Sequence, residues 1–457
     1  MMQQFIFDAN RCTGCNACQI ACSLENQVPL PGNWRQVVTF NPQKLPTLPH
    51  SHLSIACNHC QEPPCLKYCP ALAYTKDEMT GAVIIDSKKC IGCHYCSWVC
   101  PYDAPRYSTV KGVMEKCTFC LHRLNENREP ACVELCPTAA LKTADYTPGQ
   151  STEPIPGFTS TQIQPAISLI PLRTWSSQGE NRFAGVKIET NGLVSESVLN
   201  GPGVKKIRWR SEVSLVVFTT LTPFLVGAYI SGLWFPFPVS SKGVLILSLL
   251  GMAISALHLG QKHRAFRAIR NWKQSWLSRE IIGYSIFCGS VFVSILIPQW
   301  LPVTGWLAFI FGLFTLVAID RVYSVLPLAS ANQRWTFNSL LTGSFFLSLF
   351  TGSVFFSILT GSLKLILYLL PGLKSRKQKP ARSKSATTLR LISGFLLPAV
   401  LWLVDFNPFY FLIIGLVFLG ELIERCQFYD ALSVISPANQ MRYDLNLNGD
   451  FPRDNAR

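Results

Sequence analysis

The sequence is poor in charged residues, in histidine and in nucleotide-binding motifs, and each shortage excludes a class of protein. Only 15% of its 457 residues are charged, and long apolar runs follow residue 211. These two features exclude a disordered chain and a single soluble globule. The sequence also lacks a P-loop, the glycine fingerprint of dinucleotide-binding domains and an evident pterin-binding domain. The conversion of a substrate is therefore not encoded in this chain.

Cysteine is what the sequence has in excess, and its distribution is uneven. Sixteen of the 18 Cys lie between Cys12 and Cys136, and the other two, Cys288 and Cys426, are isolated. The first residues have neither a basic n-region nor an apolar stretch, so they do not predict a signal peptide. We therefore expect the cysteine-rich half to stay in a reducing cytoplasm, where clustered thiols are metal ligands more often than disulfides.

The sixteen clustered Cys form four groups of four. These are Cys12, Cys15, Cys18 and Cys22; Cys57, Cys60, Cys65 and Cys69; Cys90, Cys93, Cys96 and Cys100; and Cys117, Cys120, Cys132 and Cys136. The third group has the spacing C-x2-C-x2-C-x3-C-P of bacterial ferredoxins, where three thiolates wrap one cluster and the fourth serves another. The first group lacks only the Pro, and the second and fourth groups carry insertions before their third Cys. Zinc favours two separated C-x2-C pairs instead. The groups therefore predict four [4Fe–4S] clusters in an α+β ferredoxin-like domain.

The cysteine-rich half resembles the four-cluster electron-transfer subunits of molybdopterin oxidoreductases, especially the dimethyl-sulfoxide reductase type. The matching runs are 90–107 (CIGCHYCSWVCPYDAPRY), 56–60 (ACNHC) and 133–140 (VELCPTAA). The resemblance implies that the first and fourth groups exchange their last Cys, as do the second and third. The implied ligand sets are set 1 (Cys12, Cys15, Cys18, Cys136), set 2 (Cys117, Cys120, Cys132, Cys22), set 3 (Cys57, Cys60, Cys65, Cys100) and set 4 (Cys90, Cys93, Cys96, Cys69).

Two features beside the Cys groups leave alternatives open. Six basic residues lie among the Cys groups: Lys67, Lys88, Lys89, Arg106, Lys111 and Lys116. They could tune the reduction potentials of the clusters through their charge. Alternatively, they form a solvated face or a docking surface for an acidic partner. The Pro- and Gly-rich segment that follows has no Cys, and we expect it to wrap the ferredoxin body. Its apolar stretch 166–172 fits a buried strand or a docking segment.

Eight apolar segments long enough to span a membrane follow residue 211. They cover roughly 213–235, 243–260, 280–299, 303–320, 336–357, 358–373, 390–405 and 408–424. With eight spans, the basic loops all fall on one side, as the positive-inside rule requires, whereas seven spans would place the most basic loop outside. The basic runs are then topology signals that contact anionic lipid, and no nucleic-acid binding is expected. Lys364 lies in the short segment 358–373, and we expect it to snorkel to an interface.

The shortage of histidine limits which electron carriers the apolar half can bind. It has only His258 and His263, whereas a di-haem anchor needs four axial ligands. We therefore expect no haem, and the membrane-soluble carrier that fits is a quinone, either menaquinone or ubiquinone.

A second resemblance points to where that quinone binds. The runs 255–269, 275–281 and 420–429 are similar to the haem-free membrane anchor of dimethyl-sulfoxide reductases. The similarity implies that His258 and Glu280 belong to its quinol site. Quinol oxidation releases two protons, which a His and a carboxylate at a helix end can accept. Alternatively, His258 is a helix-end cap, and Glu280 pairs with Arg279 or Arg264.

The sequence thus predicts a ferredoxin domain at 1–145, a linker at 146–210, a membrane anchor at 211–430 and a tail at 431–457. This architecture is an α+β domain followed by an all-α eight-helix transmembrane bundle. It would be multi-pass in the inner (cytoplasmic) membrane, with the iron–sulfur domain on the cytoplasmic side.

The expected function is electron transfer in anaerobic respiration, between membrane quinol and a separate molybdopterin catalytic subunit. No molybdenum site is expected on this chain. One alternative is a quinone-reducing sulfite dehydrogenase-type complex that runs in the opposite direction. Another is a redox-driven anchor of a larger respiratory assembly, whose proton movement would involve the acids Asp320, Asp405 and Glu421.

Overall fold

The chain forms two compact units in a computed structural model. The first comprises Met1–Lys206 with Val434–Arg457, and the second comprises Ile207–Ser433. The structure describes residues 2–29, 32–41, 50–147, 155, 157–159, 163–173, 207–234, 240–327, 339–373, 384–404, 406–432, 434–437 and 439–440. Asp405, residues 174–206 of the linker, Arg334 and the basic loop 374–383 lie outside these ranges.

The first unit is built from small sheets and short helices. Strand β1 (Gln3–Asp8) pairs antiparallel with β8 (Leu141–Asp145) and parallel with β9 (Ile167–Ile170). Three two-stranded antiparallel sheets contain β2 (Gln36–Phe40) with β3 (Ser51–Ile55), β4 (Tyr74–Lys76) with β5 (Val83–Ile85), and β6 (Arg106–Ser108) with β7 (Val113–Glu115). The helices are α1 (Ala17–Glu25), α2 (Pro64–Lys67), α3 (Tyr95–Val99), α4 (Leu121–Leu124) and α5 (Ala131–Glu134).

The core of this unit is shared between aromatic side chains and cysteine. Phe5, Phe7 and Phe119 are buried in one cluster with several thiols, among them Cys57 and Cys132. Among the described residues, 6 of the 22 buried residues of this cluster are Cys, so sulfur side chains are a substantial part of the packed interior. Whatever binds the thiols therefore contributes directly to the stability of this unit.

The described part of the linker packs on the cysteine-rich body. The stretch 166–172 contains strand β9, so of its two interpretations the strand is the one observed. Phe158 stacks on Tyr102 with ring centroids 5.1 Å apart, and the Gln61 amide donates to the Gln164 carbonyl at 2.9 Å. These contacts hold the described linker residues against the cysteine-rich body.

The second unit is helical. Its helices are α6 (Val213–Trp234), α7 (Ser241–Ala256), α8 (Trp276–Leu296), α9 (Leu301–Ser324), α10 (Ser339–Phe350), α11 (Val354–Leu373), α12 (Lys384–Leu391), α13 (Leu397–Val404) and α14 (Phe406–Ala431). A π-helical turn, Ile392–Leu396, joins α12 to α13. A helical second half is thus confirmed.

Four of the described helical stretches are long and apolar enough to cross a membrane. They are Val213–Trp234, Trp276–Leu296, Pro298–Ser324 and Lys384–Val404. Shorter apolar helices cover Ser241–Ala256, Ser339–Phe350 and Val354–Leu369. The count of eight spans stays a prediction.

Two details of the apolar half differ from expectation. The expected snorkelling of Lys364 is wrong, because its side chain is 1% exposed and pairs with Glu421 inside the helical unit. A buried countercharge on a facing helix removes the need to reach an interface. The break between α10 and α11 lies at residues 351–353 rather than 357, where Gly352 has a φ of +67°. Glycine adopts this left-handed conformation without steric cost.

Candidate iron–sulfur and quinone sites

The loops of the first and third Cys groups have the same backbone geometry. Gly14 and Asn16 have φ of 71° and 61°, and Gly92 and His94 have φ of 69° and 60°. In each loop these residues flank the second Cys of the group, and a helix begins directly after the second of them. Left-handed residues reverse the chain within a few positions, which turns successive thiols towards one side.

Within each implied set, thiols lie close enough to interact electrostatically. In set 1, the pKa of Cys12 is raised by burial and further by the other three members. In set 2, burial raises the pKa of Cys22 to about 12, with contributions from Cys132 and Cys120 against the opposing charge of Arg35. In set 3, the pKa of Cys60 is raised by burial and by its three partners. In set 4, the pKa of Cys96 is likewise raised by burial and by its three partners.

These thiol sets fit iron–sulfur clusters better than single metal ions. Within the described residues, no three His, Cys, Asp or Glu side chains converge as ligands of one metal ion. Thiolates on zinc all lie about 2.3 Å from one ion, whereas the ligands of a cubane are spread around a larger core. Burial and mutual repulsion disfavour free thiolates here, and a positively charged iron–sulfur core would offset both effects.

Two cations are buried among the thiol sets. Arg35 is 2% exposed and Lys116 is 1% exposed. Burial alone would lower the pKa of Arg35, but the thiolates of Cys132, Cys18, Cys117 and Cys22 raise it. Burial alone would likewise lower the pKa of Lys116, but the thiolates of Cys57, Cys65 and Cys117 raise it. Arg35 therefore has neighbours in sets 1 and 2, and Lys116 has neighbours in sets 2 and 3.

Of the six basic residues noted in the sequence, only Lys116 is buried. Lys67, Lys88, Lys89 and Lys111 are exposed, which favours the solvated face for them. Arg106 pairs with Asp103 at 2.9 Å. Arg35 was missed, because it lies outside every Cys group and its neighbours in sequence carry no motif.

The proposed quinone residues lie at two successive helix ends. His258 follows the last turn of α7, is partly buried, and its Nδ1 contacts the Ser255 carbonyl. That contact is the one expected of a helix-end cap. Glu280 lies in the second turn of α8 and is 6% exposed. It makes no ion pair with Arg279, which instead donates to the carbonyls of Trp272 and Lys273.

Glu280 is joined electrostatically to charged groups on other helices. Its charged neighbours are Arg425 of α14 and Asp320 of α9. Arg425 is 9% exposed and donates to Thr219 Oγ1 at 2.9 Å and to Ser339 Oγ at 3.4 Å. The backbone amide of Ser339 in turn donates to both Asp320 carboxylate oxygens at 3.0 Å.

A second group of charged residues, two of them on α14, lies next to Arg425. It consists of Lys364, Arg390, Glu421 and Glu424, which we call the buried ion set. Arg390 contacts Glu421 at 2.8 Å and Glu424 at 2.6 Å. Lys364 contacts Glu421 directly and lies 3.8 Å from Glu424. The hydroxyl of Thr342 bridges Lys364 at 2.6 Å and Glu421 at 3.2 Å.

An apolar cavity of about 360 Å³ lies among α10, α11, α13 and α14. Its walls include Phe345, Leu349, Phe395 and Trp402, with neither His258 nor Glu280 among them. A smaller polar niche is lined by Arg425, Glu421, Glu424 and the hydroxyl residues around them. The polar niche, not the apolar cavity, adjoins the charged neighbours of Glu280.

Comparisons with known proteins match both halves of the chain. Residues 49–146 match the family described as "4Fe-4S dicluster domain", and residues 208–373 match "DMSO reductase anchor subunit (DmsC)". An anaerobic dimethyl sulfoxide reductase chain of Haemophilus influenzae is 34% identical over 206 residues, which are 42% of this chain and 95% of that protein.

Two further relatives each match 30% of the chain. The corresponding anaerobic dimethyl sulfoxide reductase chain of Escherichia coli K12 is 41% identical over 145 residues, which are 30% of this chain and 70% of that protein. A sulfite dehydrogenase subunit of Allochromatium vinosum is 37% identical over 156 residues, which are 30% of this chain and 65% of that protein. The chain therefore belongs to the dimethyl sulfoxide reductase family, as an electron-transfer iron–sulfur subunit fused to a membrane-anchor domain.

Proposed function

We propose that this chain passes electrons between membrane quinol and a separate molybdopterin-containing catalytic subunit, through four [4Fe–4S] clusters. What supports the proposal is that thiols from different sequence groups interact with one another in the pattern of four sets, each with its displaced member. When bound, four one-electron centres would form a path from one redox partner to another. The matched anchor family supports the membrane end of that path.

The residues of this chain would have separate roles in holding and tuning the clusters. Sets 1 to 4 would hold the clusters, which supply one-electron steps when bound. The protein keeps water away from sets 2 and 3, whose Cys are all buried, whereas Cys15 of set 1 is exposed. Arg35 and Lys116 place positive charge where the bound clusters would be anionic.

The quinone end requires groups that accept protons. Oxidation of one quinol releases two electrons and two protons, and the electrons leave one at a time to the nearest cluster. His258 and Glu280 would take the protons, since both occur at helix ends where an apolar interior meets polar groups. Glu280 is buried beside Arg425, a fixed cation that would stabilise the carboxylate between turnovers.

The proposed topology is eight spans in the inner membrane, with the iron–sulfur domain on the cytoplasmic side. Each of the eight predicted segments overlaps a described helix, and the basic residues cluster in loops that eight spans would place together. Menaquinone or ubiquinone would then enter from the bilayer.

The opposite direction of electron flow is the second candidate. A sulfite dehydrogenase subunit is among the relatives at 37% identity, and the same clusters and quinone site would serve quinone reduction. Cluster potentials separate the two, because potentials that all lie far below the quinone couple would count against quinol oxidation.

A redox-driven proton-moving anchor is the third candidate. The observation in its favour is the buried ion set, with Asp320 and Arg425 beside it. Ionisable groups inside a membrane are costly and are functional in many proteins. Proton uptake by vesicles that contain the complex would distinguish this candidate from plain electron transfer.

The quinone site is tested by substituting its two residues in the assembled complex. We expect His258→Gln and Glu280→Gln to slow cluster reduction by quinol about 10²-fold or more, the range in which positioned acids and bases contribute. The iron content and the dithionite-reduced EPR spectrum should not change. His263→Gln is the matched control, because His263 is exposed five residues away. Unchanged quinol kinetics in both variants would refute the site.

A further inference from the structure

Arg35 is a large, fully buried side chain beside the thiol sets, and its contacts leave part of its guanidinium unsatisfied. Its Nη1 donates to Ser54 Oγ at 3.2 Å and to the Ser54 carbonyl at 3.5 Å. The guanidinium carbon lies 4.8 Å above the Phe5 ring. Within the described residues, its Nε and Nη2 are buried without a hydrogen-bond partner.

A buried N–H group of a cation costs free energy when it has no hydrogen-bond acceptor. The Nε and Nη2 donors of Arg35 therefore indicate that an acceptor binds beside them. The charged groups around Arg35 are thiols of two different sets, namely Cys18 of set 1 and Cys132, Cys117 and Cys22 of set 2. The same Ser54 hydroxyl that accepts from Arg35 lies 3.3 Å from Cys18 Sγ. The guanidinium therefore lies at the junction of sets 1 and 2.

We propose that Arg35 donates Nε–H and Nη2–H to sulfur atoms at this junction and raises the reduction potentials of both adjoining clusters. A cluster becomes more negative when it gains an electron, so a fixed cation nearby stabilises its reduced form. N–H groups directed at sulfur act in the same direction. Because Arg35 is 2% exposed, its charge is little screened by solvent or salt.

Arginine suits this position better than lysine. A guanidinium offers donors in several directions from one planar group, so it can hold Ser54 with one edge and reach sulfur with another. Lysine would keep the charge but lose that fixed geometry. Arg35 is a positioning residue in this proposal, since it affects electron transfer through the clusters beside it. The inference rests on the proposed ligand sets.

The test is an EPR-monitored redox titration of the assembled complex. In Arg35→Gln we expect two of the four cluster potentials to move to lower values, while the other two stay unchanged. Arg35→Lys should move the same two by a smaller amount. The matched control is Arg128→Gln, because Arg128 is a half-exposed residue of the same unit that pairs with Glu126 at 3.1 Å. Four unmoved potentials in an Arg35→Gln protein with full iron content would overturn the proposal.

A measurement without a substitution covers the case in which Arg35→Gln fails to assemble. Wild-type complex labelled with ¹⁵N-arginine should show nitrogen hyperfine coupling to a reduced cluster in pulsed EPR, and the coupling should be absent from labelled Arg35→Lys. A wild-type spectrum with no such coupling would overturn the proposal. Iron and sulfide analysis separates this failure from failure of the ligand sets, which would appear as fewer than four clusters per chain.

Discussion

Gly14 shows how closely one residue can be tied to cluster binding. It has a φ of +71°, and a Cβ there would lie 2.5 Å from the His52 ring. Any other residue would therefore pay about 1–2 kcal/mol for the left-handed backbone. It would also displace a ring that accepts or donates a hydrogen bond with Thr39 at 3.1 Å.

We predict that Gly14→Ala impairs the set 1 cluster. The clash adds about 1–3 kcal/mol to the backbone cost, and both fall on the loop that presents Cys12 and Cys15. Iron content and the EPR signal of one cluster should decrease, while the other three remain. Gly81→Ala is the control, because Gly81 has a φ of +74° but its nearest neighbour, Met2 Cγ, is 3.5 Å away. Equal losses in both variants would contradict this account.

At the scale of elements, the contact between the π-helical turn and α14 depends on two small residues. A Cβ on Gly420 would lie 2.6 Å from the Gly394 Cα, and a Cβ on Gly394 would collide with Arg390 Nη1. The two backbones approach closely, as small residues allow between membrane helices. This approach brings Arg390 within reach of Glu421 and Glu424.

We predict that Gly420→Ala lowers the stability of the helical unit by about 1–3 kcal/mol, because backbone atoms must move to admit the methyl group. Gly415→Ala on the same helix meets no atom within 4 Å, so it should be neutral or gain up to about 1 kcal/mol from helix propensity. Thermal unfolding of the purified complex in detergent measures both. A Gly420→Ala protein as stable as Gly415→Ala would show that the helices separate without cost.

The buried ion set gives a second prediction at this scale. Lys364→Met removes one of two cations that contact Glu421, so we expect a loss of about 3–5 kcal/mol, as when one partner of a buried pair is removed. The double variant Lys364→Met with Glu421→Gln removes both charges and leaves Arg390 paired with Glu424. It should recover most of the loss in the same unfolding experiment. A double variant less stable than the single one would refute the pairing.

For the whole molecule, the two units have separate cores and should respond separately to loss of the clusters. In the first unit, thiols lie inside the main hydrophobic cluster, so iron binding and folding are coupled. We predict that oxidation and chelation of the iron increase amide hydrogen exchange throughout residues 50–147 but not within α6, α8 or α9. Mass spectrometry of exchanged peptides measures this. An equal increase in both units would contradict separate cores.

Local spacing predicted much of this architecture, and contacts between distant residues account for what it missed. The Cys groups and the apolar segments could be read in sequence, because loop geometry and helix length are local properties. Arg35 and the Lys364–Glu421 pair could not. Their partners lie 19 and 57 positions away, and only the packing of separate elements brings them together. The position of Glu280 beside Arg425 was missed for the same reason.

The central claim is that quinol delivers electrons to clusters held by this chain. The most direct measurement is the EPR spectrum of the purified complex after anaerobic incubation with excess menaquinol or ubiquinol analogue, compared with a dithionite-reduced sample. The account predicts that quinol produces reduced-cluster signals and that, at a matched short incubation time, these signals are much weaker in His258→Gln, while dithionite still reduces all four clusters. The claim would be contradicted by a wild-type complex whose clusters are reduced by dithionite but whose EPR spectrum does not change when quinol or quinone is added.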